Sequence, residues 1–559
     1  MSGHGNWSPL RLIDEPGRNF LQDAFEDGNR NNIFSQVSTQ DVHLSAYANE
    51  PERARALLGK LASRLKIQYW QIPLESNANE HIPAGYTYFG QLMAHDLVQH
   101  VTPFPALRSR ATPLSMESDN LRERGLILDA IYGGGPRSNP SSYAWRSDSQ
   151  RDRVHLRLGR VRKPGVDTVP TSEDPFRDIP RVVCPFMNHD AAGYADTLLV
   201  DPRNDDNVIV SQMTMLFHTL HNWVYDRISA LIDEDDGLEP LKVEYRRFTA
   251  ARKVVALVYR RIIVHDFLGR LLHPEVARLF DAVSFECAEP GLDYQNRGQD
   301  ITVEFSHAAF RFGHAMIRSQ YQLNGDLEAK ESYILALLNR TSAKGAIHVP
   351  LESNWTVEWQ RFFDFDLPGV QPSNRIAPSF RESFFVANAF TPPDQNDVFL
   401  PHLDFFRAAQ AGVRNVKTLI ASLPAPLRAH SAILSYPQGT GDEISRWLDK
   451  VDAIQPPKQE NRLDSDERKL AMQDPPLLLF LLLEAAVTGP ADMQGKRLGI
   501  LGSAIVADSI YRVLRRGRPA IEGDAAVAAL AERVFSHEVP ADMPSLISNL
   551  PGLRPEQSG

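Results

Sequence analysis

The segment NVIVSQMTMLFHTLHNWVYDRISALI, Asn207 to Ile232, constrains this chain more than any other. Apolar residues recur at spacings of three and four over many turns, a pattern that predicts a long and deeply buried helix. The stretch from Tyr245 to Leu272 predicts a second helix, and ITVEFSHAAFRFGHAMIRSQY, Ile301 to Tyr321, a third. Further helices are expected over Leu403–Leu423, Glu467–Val487 and Arg497–Gly517. Strand signals are few. Connections rich in Pro, Gly and Ser, such as Tyr132–Asp152 and Thr391–His402, suit loops that wrap a helical body. The fold class expected is therefore mainly α, one large helical domain with long wrapping loops and very little β. Residues 1–60 read as a polar N-terminal arm, 61–540 as the domain and 541–559 as a C-terminal tail. No internal repeat divides the chain.

Composition excludes several classes of function. The 559 residues are 43% hydrophobic and 23% charged, enough apolar material for a large core. Sixty Lys plus Arg against seventy Asp plus Glu leave a net charge of -10, which offers no basic surface to nucleic acid or anionic lipid. The longest apolar run, Leu477 to Leu483, is far short of the ~20 residues that span a bilayer. Asp474, Pro475 and Pro476 mark it instead as the start of a buried helix. The amino-terminal residues lack the apolar core of a secretory signal, and Cys184 and Cys287 are too few for a disulfide framework. A cytoplasmic, reducing setting is the default expectation, with export by another route left open.

Three short stretches carry residues suited to chemistry. In YFGQLMAHDLVQH, Tyr88 to His100, Phe89, Leu92, Met93 and Leu97 form one apolar arc at roughly 100° per residue. Asp96 falls inside that arc, while Gln91 and His95 share a neighbouring face. A carboxylate there needs a partner, so a paired Asp96 beside a satisfied core histidine is the plainest reading. In AFRFGHAMI, His314 sits in a helical pattern among apolar residues. It is either a core histidine bonded to a carbonyl or a neutral imidazole of the kind an axial haem ligand requires. In LLVDPRNDDNVIV, Arg203 lies in a turn before the long helix with Asp201, Asp205 and Asp206 around it, where acidic residues suit the helix dipole. His218 and His221 lie three apart without the glutamate of a zinc motif and are read as structural.

Taken together, YFGQLMAHD, DPRNDDN and FRFGHAMI occur in an order and at separations that resemble the animal-type haem peroxidases, the peroxidase and cyclooxygenase superfamily. The resemblance runs from about Tyr86 to the GKRLGILGSAIVADSIYRVL segment near residue 514, and LILDAIYGGGP is similar to a stretch of bacterial members. It implies that His95 is the distal histidine, that Gln91 lines the same pocket and that Arg203 is the distal arginine. His314 would be the proximal ligand of the haem iron. Asp404, in LDFFR, stands where the family usually has an asparagine bonded to that histidine, and a carboxylate there makes the imidazole more basic. Arg311 and Arg407 match positions that face haem propionates, with a surface salt bridge the equal alternative for each.

The sequence also departs from the family. Ala94 occupies the slot of the Asp that forms one haem ester in mammalian members, so that link cannot form. Asp206 replaces a Glu, which leaves a single ester through Asp206 as the one covalent link open to haem b. Asn207 stands in place of the Met of the sulfonium link, and Arg311 in place of the radical-forming tyrosine of the fatty-acid oxygenases. Asp96 matches a calcium ligand, but the accompanying loop offers only Glu123 and Asp129 as oxygen donors, few for an ion that takes six to eight. A calcium site is therefore disfavoured. The resemblance implies a peroxidase that reduces hydrogen peroxide by way of an oxoferryl intermediate. Its reducing substrate would be a small aromatic donor or an easily oxidised anion such as iodide, bromide or thiocyanate. The alternatives are a haem-dependent oxygenase of a lipid or natural product, and a haem-binding adhesion protein without turnover.

Overall fold

The computed structural model describes residues 45–48, 51–66, 77–101, 119–120, 125–144, 153–164, 170, 175–184, 194–231, 240–280, 301–326, 333–344, 348–385, 399–429, 440–489, 492–517 and 521–555. Most of the expected arm, Glu123, Cys287 and much of the two long connections lie outside these residues.

The long apolar segment is the helix the pattern demands. It runs Val208–Leu231, and Asn207 starts it by accepting the Val210 amide on its side-chain oxygen at 2.9 Å. A second helix, Pro240–Ile262, packs along it. Across both lies Gly85–Leu97, the helix of the first motif. Its apolar arc explains the packing: Phe89, Leu92 and Met93 are fully buried, and the Phe89 ring sits 5.8 Å from Tyr259, 5.7 Å from Phe267 and 6.4 Å from Phe217. Gly85 is required here, because a Cβ would lie 2.6 Å from the Phe362 carbonyl oxygen.

Several expected helices are interrupted, each for a local reason. The second does not continue unbroken to Leu272: after Ile262 comes a π turn, Ile263–Phe267, and then a short helix, Leu268–Leu271. Asp266 in that turn accepts the Tyr86 hydroxyl, the Arg270 guanidinium and the Met543 amide, which holds the widened turn in place. The third, Ile301–Tyr321, is no single helix. It divides into Val303–His307, a 3-10 turn Ala309–Phe312 and one α turn Gly313–Met316, broken at Ala308 (φ -132°, ψ -69°) and ended by extended Ile317. His314 therefore sits on a short turn and not in mid-helix. The segment Leu403–Leu423 divides at Gly412, whose φ of +70° favours glycine, into Leu400–Gln410 and Val416–Ala421. Pro475 and Pro476 separate Ser465–Gln473 from Leu477–Val487.

Strands are short, as expected. Among the described residues they form three antiparallel pairs: β1 (Ala78–Pro83) with β6 (Pro372–Asn374), β2 (His100–Val101) with β3 (Asp119–Asn120), and β4 (Arg181–Cys184) with β5 (Tyr194–Thr197). The core is continuous through the helices. It includes residues 541–559 in part, since the helix Met543–Ser548 buries Met543, Leu546 and Ile547. No helix among the described residues is long and apolar enough to cross a membrane; the apolar Leu477–Val487 is buried over Leu477–Ala486.

Candidate active site

A cavity of about 1110 Å³ opens between the Gly85–Leu97 helix, the turn before Val208 and the Gly313–Met316 turn. Its wall brings together Gln91, His95, Arg203, Asp206, Arg311 and His314, drawn from three separated parts of the sequence. Asp404 lies behind this wall, and exposed Arg407 does not line it.

On one side, His95 is fixed by a residue the sequence reading passed over. Its Nδ1 lies 2.8 Å from Asn204 Oδ1. The amide nitrogen of Asn204 donates to the Ala130 carbonyl at 3.1 Å, so its oxygen must accept, and His95 carries its proton on Nδ1. Nε2 is then the basic nitrogen, 3.9 Å from Asp206 Oδ2. Asp206 is open to the cavity, with 53% of its side chain accessible, yet protein surrounds it. Burial pushes its carboxyl up to about 7, opposed by Arg203 and reinforced by the neighbouring Asp201 and Asp205. Gln91 accepts the Asn207 amide at 3.1 Å, which ties the helix start to this face.

Arg203 stands on a 3-10 turn, Pro202–Asp205, whose first residue Asp201 accepts the Arg203 amide at 3.0 Å. The guanidinium is largely spoken for. Its Nε and one terminal nitrogen grip Asp201, at 3.0 and 2.6 Å, and the terminal nitrogens also donate to the carbonyls of His95 and Val98. Arg203 thus closes the end of the helix that carries His95 and brings a fixed positive charge to the cavity. Behind the turn, Arg181 of β4 is buried against Asp178, Asp205 and Ser342, at 3.1, 2.6 and 2.9 Å. This pins the turn to the hairpin and to the cavity wall near Ser342. No sequence signal marked Arg181; its partners lie 3, 24 and 161 residues away.

On the other side, His314 Nδ1 donates to Asp404 Oδ2 at 2.6 Å, which leaves Nε2 as the nitrogen able to hold a metal. Asp404 is fully buried, and its other oxygen accepts Arg311 Nη1 at 2.8 Å. Burial alone would raise this carboxyl, but His314 and Arg311 outweigh it and hold the group below the ordinary carboxylate range. Arg311 thus forms a salt bridge, inward to Asp404 and not at the surface, while it also lines the cavity.

Asp96 faces away from the cavity. Its oxygens accept the amides of Leu128 (2.9 Å) and Ala130 (3.0 Å), in a loop where Leu126 and Leu128 have positive φ. Among the described residues no group of three or more His, Cys, Asp or Glu side chains could hold a metal ion. His218 Nδ1 donates to the Arg157 carbonyl, and His221 lies between the Tyr132 hydroxyl and the Val154 carbonyl.

These residues fit haem by the chemistry of their donors: a neutral imidazole with its Nδ1–H bound to a carboxylate, facing a large cavity whose wall also holds a second, oriented histidine. The fold and the cavity define a mainly helical protein with one large site walled by two oriented histidines. Residues 156–354 match the model of the animal haem peroxidase family. The match includes Arg203 and His314; His95 and Asp404 fall outside it. No curated protein matches the chain. Similar solved structures include peroxidase A from Dictyostelium discoideum, 16% identical over 86% of each chain, with a TM-score of 0.49. The fatty acid alpha-dioxygenase of Oryza sativa is 14% identical over 84% of this chain and 74% of its own, with a TM-score of 0.46. That of Arabidopsis thaliana is 15% identical over 84% and 71%, with a TM-score of 0.48.

Proposed function

We propose that this protein is a haem peroxidase that reduces hydrogen peroxide and oxidises small aromatic donors or easily oxidised anions. The observation that carries this reading is the fixed tautomer of His95 on the wall of the cavity that His314 also faces. Haem held by His314 would supply the redox chemistry when bound, and Asp206 is the residue we propose for a single ester link to it. The chain's own residues supply the proton handling. His95 Nε2 accepts the proton of incoming peroxide and returns it to the departing oxygen, a role worth typically 10²–10⁴-fold. Arg203 stabilises the negative charge that develops beside it. Asn204 keeps the basic nitrogen turned to the reacting side. Lys344, on the cavity wall with no carboxylate partner among the described residues, favours anionic donors.

A second reading rests on the apolar part of the wall, where Phe305, Phe310, Ile334, Leu338 and Leu400 favour an apolar substrate and an oxygenase. Arg311 in place of a radical-forming tyrosine speaks against it. The two are separated by supplying the haem-loaded protein with a phenolic donor or iodide and peroxide, and in parallel with a fatty acid and dioxygen. The peroxidase reading expects peroxide-dependent donor oxidation without oxygen uptake; oxygen uptake without donor oxidation would overturn it.

A further inference from the structure

Asp404 serves two partners at once. His314 and Arg311 are three residues apart, across the junction of a 3-10 turn and an α turn, and both reach the same buried carboxylate on the Leu400–Gln410 helix. One oxygen takes the imidazole N–H at 2.6 Å and the other the guanidinium at 2.8 Å. Asp404 is fully buried and Arg311 is 21% exposed, so the pair interacts with little screening by water. A carboxylate bound to an imidazole alone turns its full charge on the ring and makes it a stronger electron donor to a metal. A guanidinium on the second oxygen draws that charge away.

We propose that Arg311 is a positioning residue that sets how strongly Asp404 charges His314, and through it the reduction potential of the iron His314 would hold. This rests on the haem reading above. It assigns Arg311 a partner inside the protein in place of a propionate, and it makes the strength of the carboxylate's push a property of a pair.

The test uses the haem-loaded protein as wild type, Arg311→Met, Arg311→Lys, Asp404→Asn and the double variant Arg311→Met with Asp404→Asn. Two quantities are read: the ferric/ferrous midpoint by spectroelectrochemistry, and the iron–imidazole stretch of the ferrous form by resonance Raman. Arg311→Met should shift the ferric-to-ferrous ratio at a fixed potential about tenfold towards ferric, ~59 mV for one electron, and raise the stretching frequency. Arg311→Lys should stay near wild type, and Asp404→Asn should move both readings the opposite way. In the Asp404→Asn background, Arg311→Met should change little. Equal shifts in both backgrounds, or an unmoved stretch, would overturn the proposal. A wild type with no histidine-ligated haem spectrum would instead remove the haem reading, and this proposal with it.

Discussion

Asn204 decides which nitrogen of His95 carries the proton, and so whether a base faces the cavity at all. Its two amide atoms are committed to different partners, Ala130 and His95, which leaves no freedom to flip. Asn204→Leu removes the acceptor and lets the imidazole rotate or change tautomer. We expect the peroxide reaction of the haem-loaded variant to slow by roughly 10–100-fold, as for other residues that orient a ligand or base from behind. Affinity for haem, set on the His314 side, should be unchanged. Rapid-mixing rates together with a haem titration check this; a variant as fast as wild type would show that Asn204 orients nothing that matters.

Among the elements, the junction of Leu477–Val487 with Ile500–Gly517 makes the sharpest prediction. Glu484 is buried in the first helix, and its oxygens accept the amides of Leu501 (2.8 Å) and Gly502 (3.1 Å) at the start of the second. Gly499 leaves room for it, since a Cβ there would lie 2.2 Å from Glu484 Cγ. Burial raises this carboxyl from 4.5 to about 7 against the pull of those amides. The folded chain therefore keeps a proton that the unfolded chain has lost between these values. The contribution of Glu484 to stability is fully present below about pH 4.5 and is lost, by ~3 kcal/mol, as pH rises to about 7. Denaturant unfolding at pH 5 and pH 8 should show that loss in the wild type and not in Glu484→Gln. An equal loss in both would place its cause elsewhere. Periodicity alone predicts one unbroken helix over Ile301–Tyr321, where the chain has three short pieces. Apolar spacing continues through Ala308, but spacing registers which residues face inward and says nothing of a backbone break that leaves them inward. That break is what lets Arg311 and His314 meet one carboxylate.

For the whole molecule, the helical class and the small share of strand followed from periodicity, because a long apolar helix such as Val208–Leu231 can be covered only by other helices or a sheet, and strand signals were scarce. The candidate site was legible only where a motif held several of its members together. Gln91 and His95 share a helix face, and Arg203 and Asp206 share a turn. Asn204 stood inside that motif without notice, because its role depends on Ala130, 74 residues away. The Arg311–Asp404 pair spans 93 residues and the Arg181–Ser342 bond 161, and no local pattern encodes contacts of that range. The C-terminal segment read as a tail is held by Asp266 through the Met543 amide, again a contact set by the fold.

We expect His95 and His314 to act on one cofactor from the wall of one cavity. Mixing the haem-loaded protein with stoichiometric peroxide and following the haem absorbance in a stopped-flow instrument tests it most directly, in the wild type, His95→Ala and His314→Ala. A rapid spectral change is expected in the wild type, at least about a hundredfold slower in His95→Ala, and a lost axial-histidine spectrum in His314→Ala before any peroxide is added. A wild type inert to peroxide, or variants that match it in rate and spectrum, would contradict it.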